Sequence, residues 1–243
     1  MPGGRARIGL LLPANNAAME YDMWKMAVDG VTFHSSRLPP TKGCEPEDLV
    51  QFKQELSAAY FLIREVADAV IYGRTYGSHA HSSAIRETIS KPLIISEEAA
   101  VEALRSVGAK KLWLATPYTP DRAKEEAKYL SSAGFSITGQ ADLNKKWGVD
   151  ISNTPVFTIY RLVKKDLQRV RQADAVYIAC TALSTFDAVT YLSEDLRMPV
   201  ISENVAAALS AEKLLSVRLN VPGRRAFTRN SLYGEAHWII RSQ

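Results

Sequence analysis

Short apolar runs alternate along the chain with longer stretches in which apolar residues recur at helical spacing. The runs of strand length are 8–12, 31–35, 69–73, 93–95, 111–115, 135–138, 175–179 and 200–201. The amphipathic stretches between them are 47–66, 97–107, 121–132, 160–172 and 204–216. This alternation predicts βαβ units, and strands so apolar are expected in parallel sheets that helices cover on both faces.

An internal repeat divides the chain into two parts. Residues 67–78 align with 173–184 at an offset of 106, with six identical positions. Residues 91–97 align with 198–203, and the run that ends before Pro13 aligns with the run that ends before Pro117. Buried βα units can resemble one another without a duplication, but three blocks in one order favour a repeat.

The predicted fold class is therefore α/β, with two similar Rossmann-like halves related by a pseudo-twofold axis. Each half is a doubly wound parallel sheet. We expect one half over residues 1–105 and the other over residues 106–216. The segment 217–243 is expected to return to the first half.

The charge pattern argues against nucleic acid as a partner. The net charge is +4 and the sequence pI is about 9.0, but basic residues are scattered among acids. The densest basic stretch, 218–229, lacks the interleaved aromatic residues of a base-stacking surface. A mild positive charge instead suits the attraction of a small anionic substrate.

Membrane insertion and secretion are not expected either. No apolar run approaches the roughly 18–20 residues that span a bilayer, and the chain enters its first strand too early for a signal peptide. Two cysteines, Cys44 and Cys180, argue against a disulfide scaffold. We therefore expect a cytoplasmic protein.

Polar residues cluster where the predicted strands end. Ligands of open α/β sheets bind beyond the carboxyl ends of the strands. Asn16, the pair Arg74 and Thr75, and the pair Cys180 and Thr181 all follow such ends. If the halves face each other, Arg74 and Cys180 lie opposite one another across a cleft whose donors suit a carboxylate or an enediolate.

Neither a metal nor an organic cofactor is indicated by the sequence. The histidines His34, His79, His81 and His237 lack metal-ligand spacing, and we interpret His79 and His81 as solvated residues at a helix start. The chain has no GxGxxG motif and no P-loop. Glu203 is interpreted as a residue that opens or caps a helix.

Six segments carry a resemblance to a known family: 13–20, 36–39, 72–78, 115–119, 180–181 and 199–204. They resemble the motifs of maleate cis–trans isomerases, which belong to the aspartate/glutamate racemase superfamily together with arylmalonate decarboxylase. The resemblance implies two Rossmann-like halves, a catalytic residue from each half, a small carboxylate substrate and no cofactor. It also leaves open a homo-oligomer.

The resemblance assigns roles to individual residues. Cys180 matches the catalytic cysteine of the second half. Substrate-binding roles fall on six residues with amide, hydroxyl or backbone donors: Asn16, Thr75, Tyr76, Tyr118, Thr181 and Asn204. For Asn16, an ordinary role as an N-cap or turn residue is the alternative.

The chain departs from the family at Arg74, where the isomerases and two-base racemases carry a cysteine. A guanidinium is neither a base nor a nucleophile at neutral pH, and Cys44 lies in a predicted surface loop. Arg74 would favour decarboxylation if it contacted the retained carboxylate, and oppose it if it contacted the departing one.

Three functions remain open at this point. Cys180 could act as the proton donor of a single-cysteine, decarboxylase-like site that works through an enediolate-type intermediate. The first alternative is a maleate-type isomerase or racemase with a modified first-half position, and the second is a non-catalytic carboxylate-binding protein.

Overall fold

The structure, a computed structural model, describes residues 2–39, 48–75, 77–146 and 148–227. The strands are β1 Ala6–Pro13, β2 Val31–Leu38, β3 Ala69–Tyr72, β4 Leu93–Ile95, β5 Lys111–Thr116, β6 Ser136–Asp142, β7 Ala175–Ile178 and β8 Val200–Ser202. The helices are α1 Met19–Met26, α2 Leu49–Phe61, α3 Ser82–Thr88, α4 Ser96–Ser106, α5 Pro120–Ser132, α6 Gly148–Ser152, α7 Val156–Lys164, α8 Leu167–Val170, α9 Phe186–Leu196 and α10 Glu203–Leu215. Each of the predicted strands forms.

The strands build two parallel sheets of the same design. The first has the order β2-β1-β3-β4 and the second the order β6-β5-β7-β8. All pairs are parallel, and β1 and β5 hold equivalent central positions. The predicted α/β class with two similar Rossmann-like halves is confirmed.

Helices cover both faces of each sheet, which is why the inner strands β1, β3, β5 and β7 are largely apolar and buried. Leu10 on β1 belongs to a large buried cluster that runs through both halves, whereas Leu11 faces a smaller cluster beneath α2 and α3. Among the described helices, α4 and α10 pack against each other most extensively. Both helices are rich in buried alanines, which lets their backbones approach closely.

The predicted helix 160–172 is interrupted and forms α7 and α8 instead. The break is at Asp166, which precedes α8 and has a non-helical backbone. Its carboxylate accepts a hydrogen bond of 2.9 Å from the indole nitrogen of Trp113, which is fully buried in β5. A buried indole N–H needs an acceptor, and this contact fixes Asp166 outside a continuous helix.

Helix α1 is buried on one face only. Met23 and Met26 of α1 are fully buried, but Trp24 is 49% exposed and packs edge-on against Phe33. Trp24 lies on the outer face of a helix that was not among the predicted ones.

The proposed half boundaries remain predictions. In the segment 217–243, the backbone N–H of Asn220 donates to the carbonyl of Met26 in the first half at 2.8 Å.

Residues 228–243, Cys44 and Tyr76 lie outside the described residues. None of the helices in the described ranges is long and apolar enough to cross a membrane.

Candidate active site

The loops that follow β3 and β7 meet where the two halves join. The backbone N–H of Thr181 donates to the hydroxyl oxygen of Thr75 at 3.0 Å, and the Thr181 hydroxyl donates to the carbonyl of Gly73 at 2.9 Å. Thr75 and Thr181 are equivalent residues of the repeat. Direct contact between equivalent residues is expected close to a pseudo-twofold axis.

Asn16 joins this junction from the end of β1. Its amide nitrogen donates to the Thr181 hydroxyl at 3.1 Å, and its amide oxygen accepts from the backbone N–H groups of Ala18 and Met19. The side chain therefore holds the turn that precedes α1, in agreement with the alternative role as a turn residue, and it also contacts Thr181, a predicted site residue. Its role in substrate binding stays a prediction.

Cys180 lies directly after β7 and is 6% exposed. Its φ angle of +90° is outside the regions that residues with a side chain normally adopt. Such a backbone costs about 1–3 kcal/mol and persists only where surrounding contacts hold it. One such contact is the Cys180 backbone N–H, which donates to Oε2 of Glu203 at 2.9 Å.

Glu203 is a residue of this junction that the sequence interpretation did not assign to the site. It opens α10 as expected, but Ser202 is the residue that caps the helix. The fully buried Glu203 carboxyl instead accepts hydrogen bonds on Oε2 from the Thr75 hydroxyl and the Cys180 backbone N–H. Its second oxygen, Oε1, is buried without a hydrogen-bond partner among the described residues. The available signal was the position of Glu203 at the carboxyl end of β8, beside the other site loops.

The pKa of Glu203 is raised to about 8, chiefly by burial and to a smaller extent by the nearby Glu97. The hydrogen bonds from Thr75 and from the backbone of Cys180 and Thr181 act in the opposite direction and are outweighed. At neutral pH the carboxyl group beside Cys180 is therefore mostly a neutral carboxylic acid.

Tyr118, after β5, is also at the junction and is only 3% exposed. The Thr75 side chain interacts with it and acts to lower the pKa of Tyr118. The pKa of Tyr118 is raised well above its usual value, first by burial and then by the neighbouring acidic groups of Cys180, Glu126 and Glu203. Tyr118 therefore stays a neutral phenol that can donate a hydrogen bond.

Asn204 is held in a second buried cluster, around Asp22 of α1. The Asp22 carboxylate accepts from the backbone N–H of Thr185, the hydroxyls of Ser184 and Thr185, and the Asn204 amide at 2.7–3.1 Å. The same Asn204 nitrogen also donates to the carbonyls of Thr181 and Leu183. Because this nitrogen is used inside the protein, the substrate-facing role of Asn204 rests on the resemblance alone and stays a prediction.

Arg74 is half-buried between Gly73 and Thr75. Its guanidinium hydrogen-bonds with the hydroxyl of Tyr72, and its positive charge opposes the rise that burial causes in the pKa of Tyr72. Its carbonyl accepts from the Ser78 hydroxyl at 3.0 Å. The loop that contains Arg74 contacts the loop that contains Cys180 through Gly73, Thr75 and Thr181. That the Arg74 guanidinium faces the Cys180 thiol remains a prediction.

A cavity of about 360 Å³ lies between α5 and the start of α4, and His79, Glu97, Glu126 and Tyr129 are among its lining residues. The His79 ring stacks on Tyr129 and contacts the carboxylate of Glu97 at 3.0 Å, so it is not simply solvated.

In the described ranges, no group of three or more histidine, cysteine or acidic residues is arranged to hold a metal ion.

Comparison with known proteins identifies the family of this chain. The model of the arylmalonate decarboxylase family matches residues 70–227, which is well over half of the chain. The chain belongs to the arylmalonate decarboxylase family. The expected branch of the aspartate/glutamate racemase superfamily is thereby confirmed.

Individual relatives of this arylmalonate decarboxylase family member include both enzymes named in the resemblance. Maleate isomerase from Geobacillus stearothermophilus is 24% identical over 239 residues, which cover 89% of this chain and 94% of the relative. Arylmalonate decarboxylase from Bordetella bronchiseptica is 25% identical over 131 residues, which cover 54% of this chain and 55% of the relative. These relatives are an isomerase and a lyase, and the expectation of an enzyme from one of these classes is confirmed.

A solved structure supports the fold of this family member. A cysteine-to-serine mutant of Nocardia farcinica maleate cis-trans isomerase, with a covalently bound succinylcysteine intermediate, superposes with a TM-score of 0.76. The identity is 23%, and the match covers 93% of this chain and 99% of the other.

Proposed function

We propose that this protein is a cofactor-independent enzyme that transfers a proton to a carbon next to the carboxyl group of a small carboxylic acid. In this proposal Cys180 is the proton donor, and the reaction starts with loss of CO2, as in a decarboxylase with a single cysteine. The observation that carries the proposal is the convergence of the Thr75 hydroxyl and the Cys180 N–H on a carboxyl oxygen. Donors beside the thiol thus already hold the functional group of the proposed substrate class.

The proposed reaction balances with the groups at the site. The bond between the α-carbon and the departing carboxylate breaks, CO2 leaves, and the electron pair stays on an enediolate-type intermediate. The Sγ–H bond of Cys180 then breaks and a C–H bond forms at that carbon, which leaves a thiolate that recovers its proton from water. A thiol is a competent general acid near neutral pH.

The absence of a first-half thiol at position 74 supports a reaction with a single thiol. Arg74 cannot remove a proton or attack a double bond at neutral pH. Its charge can stabilise a carboxylate or an enediolate that forms beside it. Tyr118, which stays a neutral phenol, adds a further hydrogen-bond donor.

Cis–trans isomerisation is the second candidate, and the match to a maleate isomerase over nearly the whole chain favours it. The related isomerase with a bound succinylcysteine suggests a thiolate that adds to a double bond. In this chain Cys180 would have to supply that thiolate. Racemisation would need a second base in addition to Cys180. A non-catalytic carboxylate-binding protein would need neither the thiolate nor a second base.

The experiment is to incubate the protein in D2O with a panel of small mono- and dicarboxylates and to follow them by NMR. We expect deuterium incorporation at the α-carbon together with CO2 loss, and a rate at least about 100-fold lower in Cys180→Ala, since general acids contribute factors of this size. Cys44→Ser is the matched control and should keep the rate. Tight binding without exchange or CO2 loss would contradict an enzyme.

Replacement of Arg74 separates the two candidate reactions. If decarboxylation is correct, Arg74→Gly should keep CO2 loss measurable. If isomerisation is correct, Arg74→Cys should raise the rate of double-bond isomerisation. Unchanged activities in both variants would show that Arg74 is outside the site.

A further inference from the structure

The cavity between α5 and the start of α4 is a second concave site of this protein. Its volume of about 360 Å³ lies in the range of small-molecule pockets, roughly 300–1,000 Å³. Glu97, Glu125 and Glu126 are among its described lining residues, whereas neither Cys180 nor Thr181 is. The cavity is therefore distinct from the junction that contains the candidate active site.

Glu126 of α5 is the lining residue that points to a ligand. It is 1% exposed, and neither of its carboxyl oxygens has a hydrogen-bond partner among the described residues. Buried carboxyl groups are normally satisfied by hydrogen-bond donors or paired with a positive charge. The described charged groups that act on the ionisation of Glu126 are Glu97 and Glu203, which are both acids. Within the described ranges, Glu126 therefore lacks the positive partner that a buried carboxylate requires.

The repeat shows why Glu126 has no hydrogen-bond donors. The equivalent acid of the other half, Asp22, accepts hydrogen bonds from the segment that follows β7. In the corresponding segment after β3, the Ser78 hydroxyl and the His79 backbone N–H donate to Glu97 instead. In the part of the chain that the structure describes, the carboxyl of Glu126 is thus left for a ligand to satisfy.

The other walls of the cavity suit an organic cation better than a metal ion. The rings of His79 and Tyr129 stack with their centroids 4.2 Å apart and provide an apolar wall for a carbon chain. Among the residues that the structure describes, no group of histidine, cysteine and acidic side chains is arranged around a metal position. An ammonium group, by contrast, needs only one carboxylate to which its N–H groups donate. Lys128 also lines the cavity, but it is exposed and is not among the described charges that act on Glu126.

We propose that this cavity binds a small aliphatic ammonium ion, with the Glu126 carboxylate as its counter-ion, at a site separate from Cys180. Burial, followed by the neighbouring acids Glu97 and Glu203, raises the pKa of Glu126 well above its usual value. The empty site therefore holds a proton on Glu126 at neutral pH. The ammonium replaces this proton, so its affinity should rise with pH.

Neighbouring elements place other ionisable groups around Glu126. They are His79 before α3, Glu97 on α4, Tyr118 after β5, Tyr177 on β7 and Glu203 on α10, together with Glu125, Lys128 and Tyr129 of α5. Loss of a proton from Glu97, Glu203 or His79 would also favour a cation. A rise of affinity with pH therefore identifies Glu126 only when it is compared with a variant at this position.

The test compares n-butylammonium with its neutral isostere n-butanol. Dissociation constants are measured by NMR titration of the unmutated protein at pH 6, 7 and 8. We expect n-butylammonium to bind with a dissociation constant below about 1 mM at pH 8 and at least about 10-fold more tightly than n-butanol. Its affinity should fall by up to about 10-fold for each pH unit toward pH 6, because one proton competes with the cation.

Three variants locate the binding site. Glu126→Gln keeps the size of the side chain but cannot ionise, so the affinity for n-butylammonium at pH 8 should fall at least 10-fold and lose its dependence on pH. Glu125→Gln is the matched control, because Glu125 lines the same cavity from the same helix but is exposed. Its affinity should stay within threefold of the unmutated protein. Cys180→Ala should also stay within threefold, since the thiol is outside the cavity.

Several outcomes would overturn the inference. They are binding of n-butylammonium that is no tighter than that of n-butanol, an unchanged affinity in Glu126→Gln, or an equal loss in Glu125→Gln, which would indicate a diffuse attraction to surface charge. If Glu126→Gln does not fold, nuclear Overhauser effects between the butyl protons and the Tyr129 ring of the unmutated protein decide. Their absence at saturating ligand would refute binding in this cavity.

Discussion

The carboxyl group of Glu203 accepts hydrogen bonds from the strained backbone at Cys180 and from the hydroxyl of Thr75, and so links the two loops. Because burial raises its pKa from 4.5 to about 8, folding binds a proton there. This proton stabilises the folded protein. Its contribution to the free energy of unfolding is complete below pH 4.5 and is lost as the pH rises from 4.5 to 8. The total loss from this group is up to about 5 kcal/mol.

Urea unfolding between pH 5 and pH 8 measures this effect. Glu203→Gln should show a smaller loss of unfolding free energy over the range than the unmutated protein, because it has no proton to lose at this position. Glu65→Gln, at a side chain that is 83% exposed, is the control and should keep the original slope. Equal slopes in all three proteins would contradict a raised pKa at Glu203.

At the scale of elements, α1 and α5 are equivalent helices that carry equivalent buried acids with different surroundings. Four hydrogen bonds reach the carboxylate of Asp22 in α1. Neither carboxyl oxygen of Glu126 in α5 has a partner among the described residues, and burial raises its pKa well above the usual value. Asp22→Asn should therefore destabilise the protein by about 1–3 kcal/mol at pH 7, because an NH2 group replaces one of the two oxygens that accept from buried donors.

Glu126→Gln is the matched change in α5. It removes no hydrogen bond from the described residues and removes the cost of ionising a buried acid, so its unfolding free energy at pH 7 should be unchanged or higher. Chemical denaturation of both variants measures the contrast. A similar loss in both would mean that the two helices hold their acids equivalently.

For the whole molecule, α10 connects the halves, because it follows β8 of the second sheet and packs on α4 of the first. Ala207 of α10 is fully buried, so a larger side chain at this position would be overpacked. Ala207→Leu should therefore lower the free energy of unfolding by about 1–3 kcal/mol. We expect calorimetry to show one unfolding transition that moves to lower temperature as a unit. Leu214→Ala, at a residue that is 45% exposed, should shift it far less. Two separate transitions in Ala207→Leu would show that the halves unfold independently.

The positions of the strands along the chain and the repeat could be predicted from the sequence because both leave local traces. A parallel strand covered on both faces must be apolar, as at 8–12 and 175–179, and a repeat keeps its residues at a constant offset. The same offset makes Thr75 and Thr181 equivalent residues, and the structure shows that they are in contact.

What only the tertiary structure decided is the identity of each polar contact. Glu203 is 23 residues from Cys180 and 128 from Thr75, and Asp166 is 53 from the indole of Trp113. An acid at a helix start has the same local pattern whether it faces water or a buried N–H. Its pKa and its partner depend on burial and on groups that are distant in sequence, and these are fixed only when the two halves pack together.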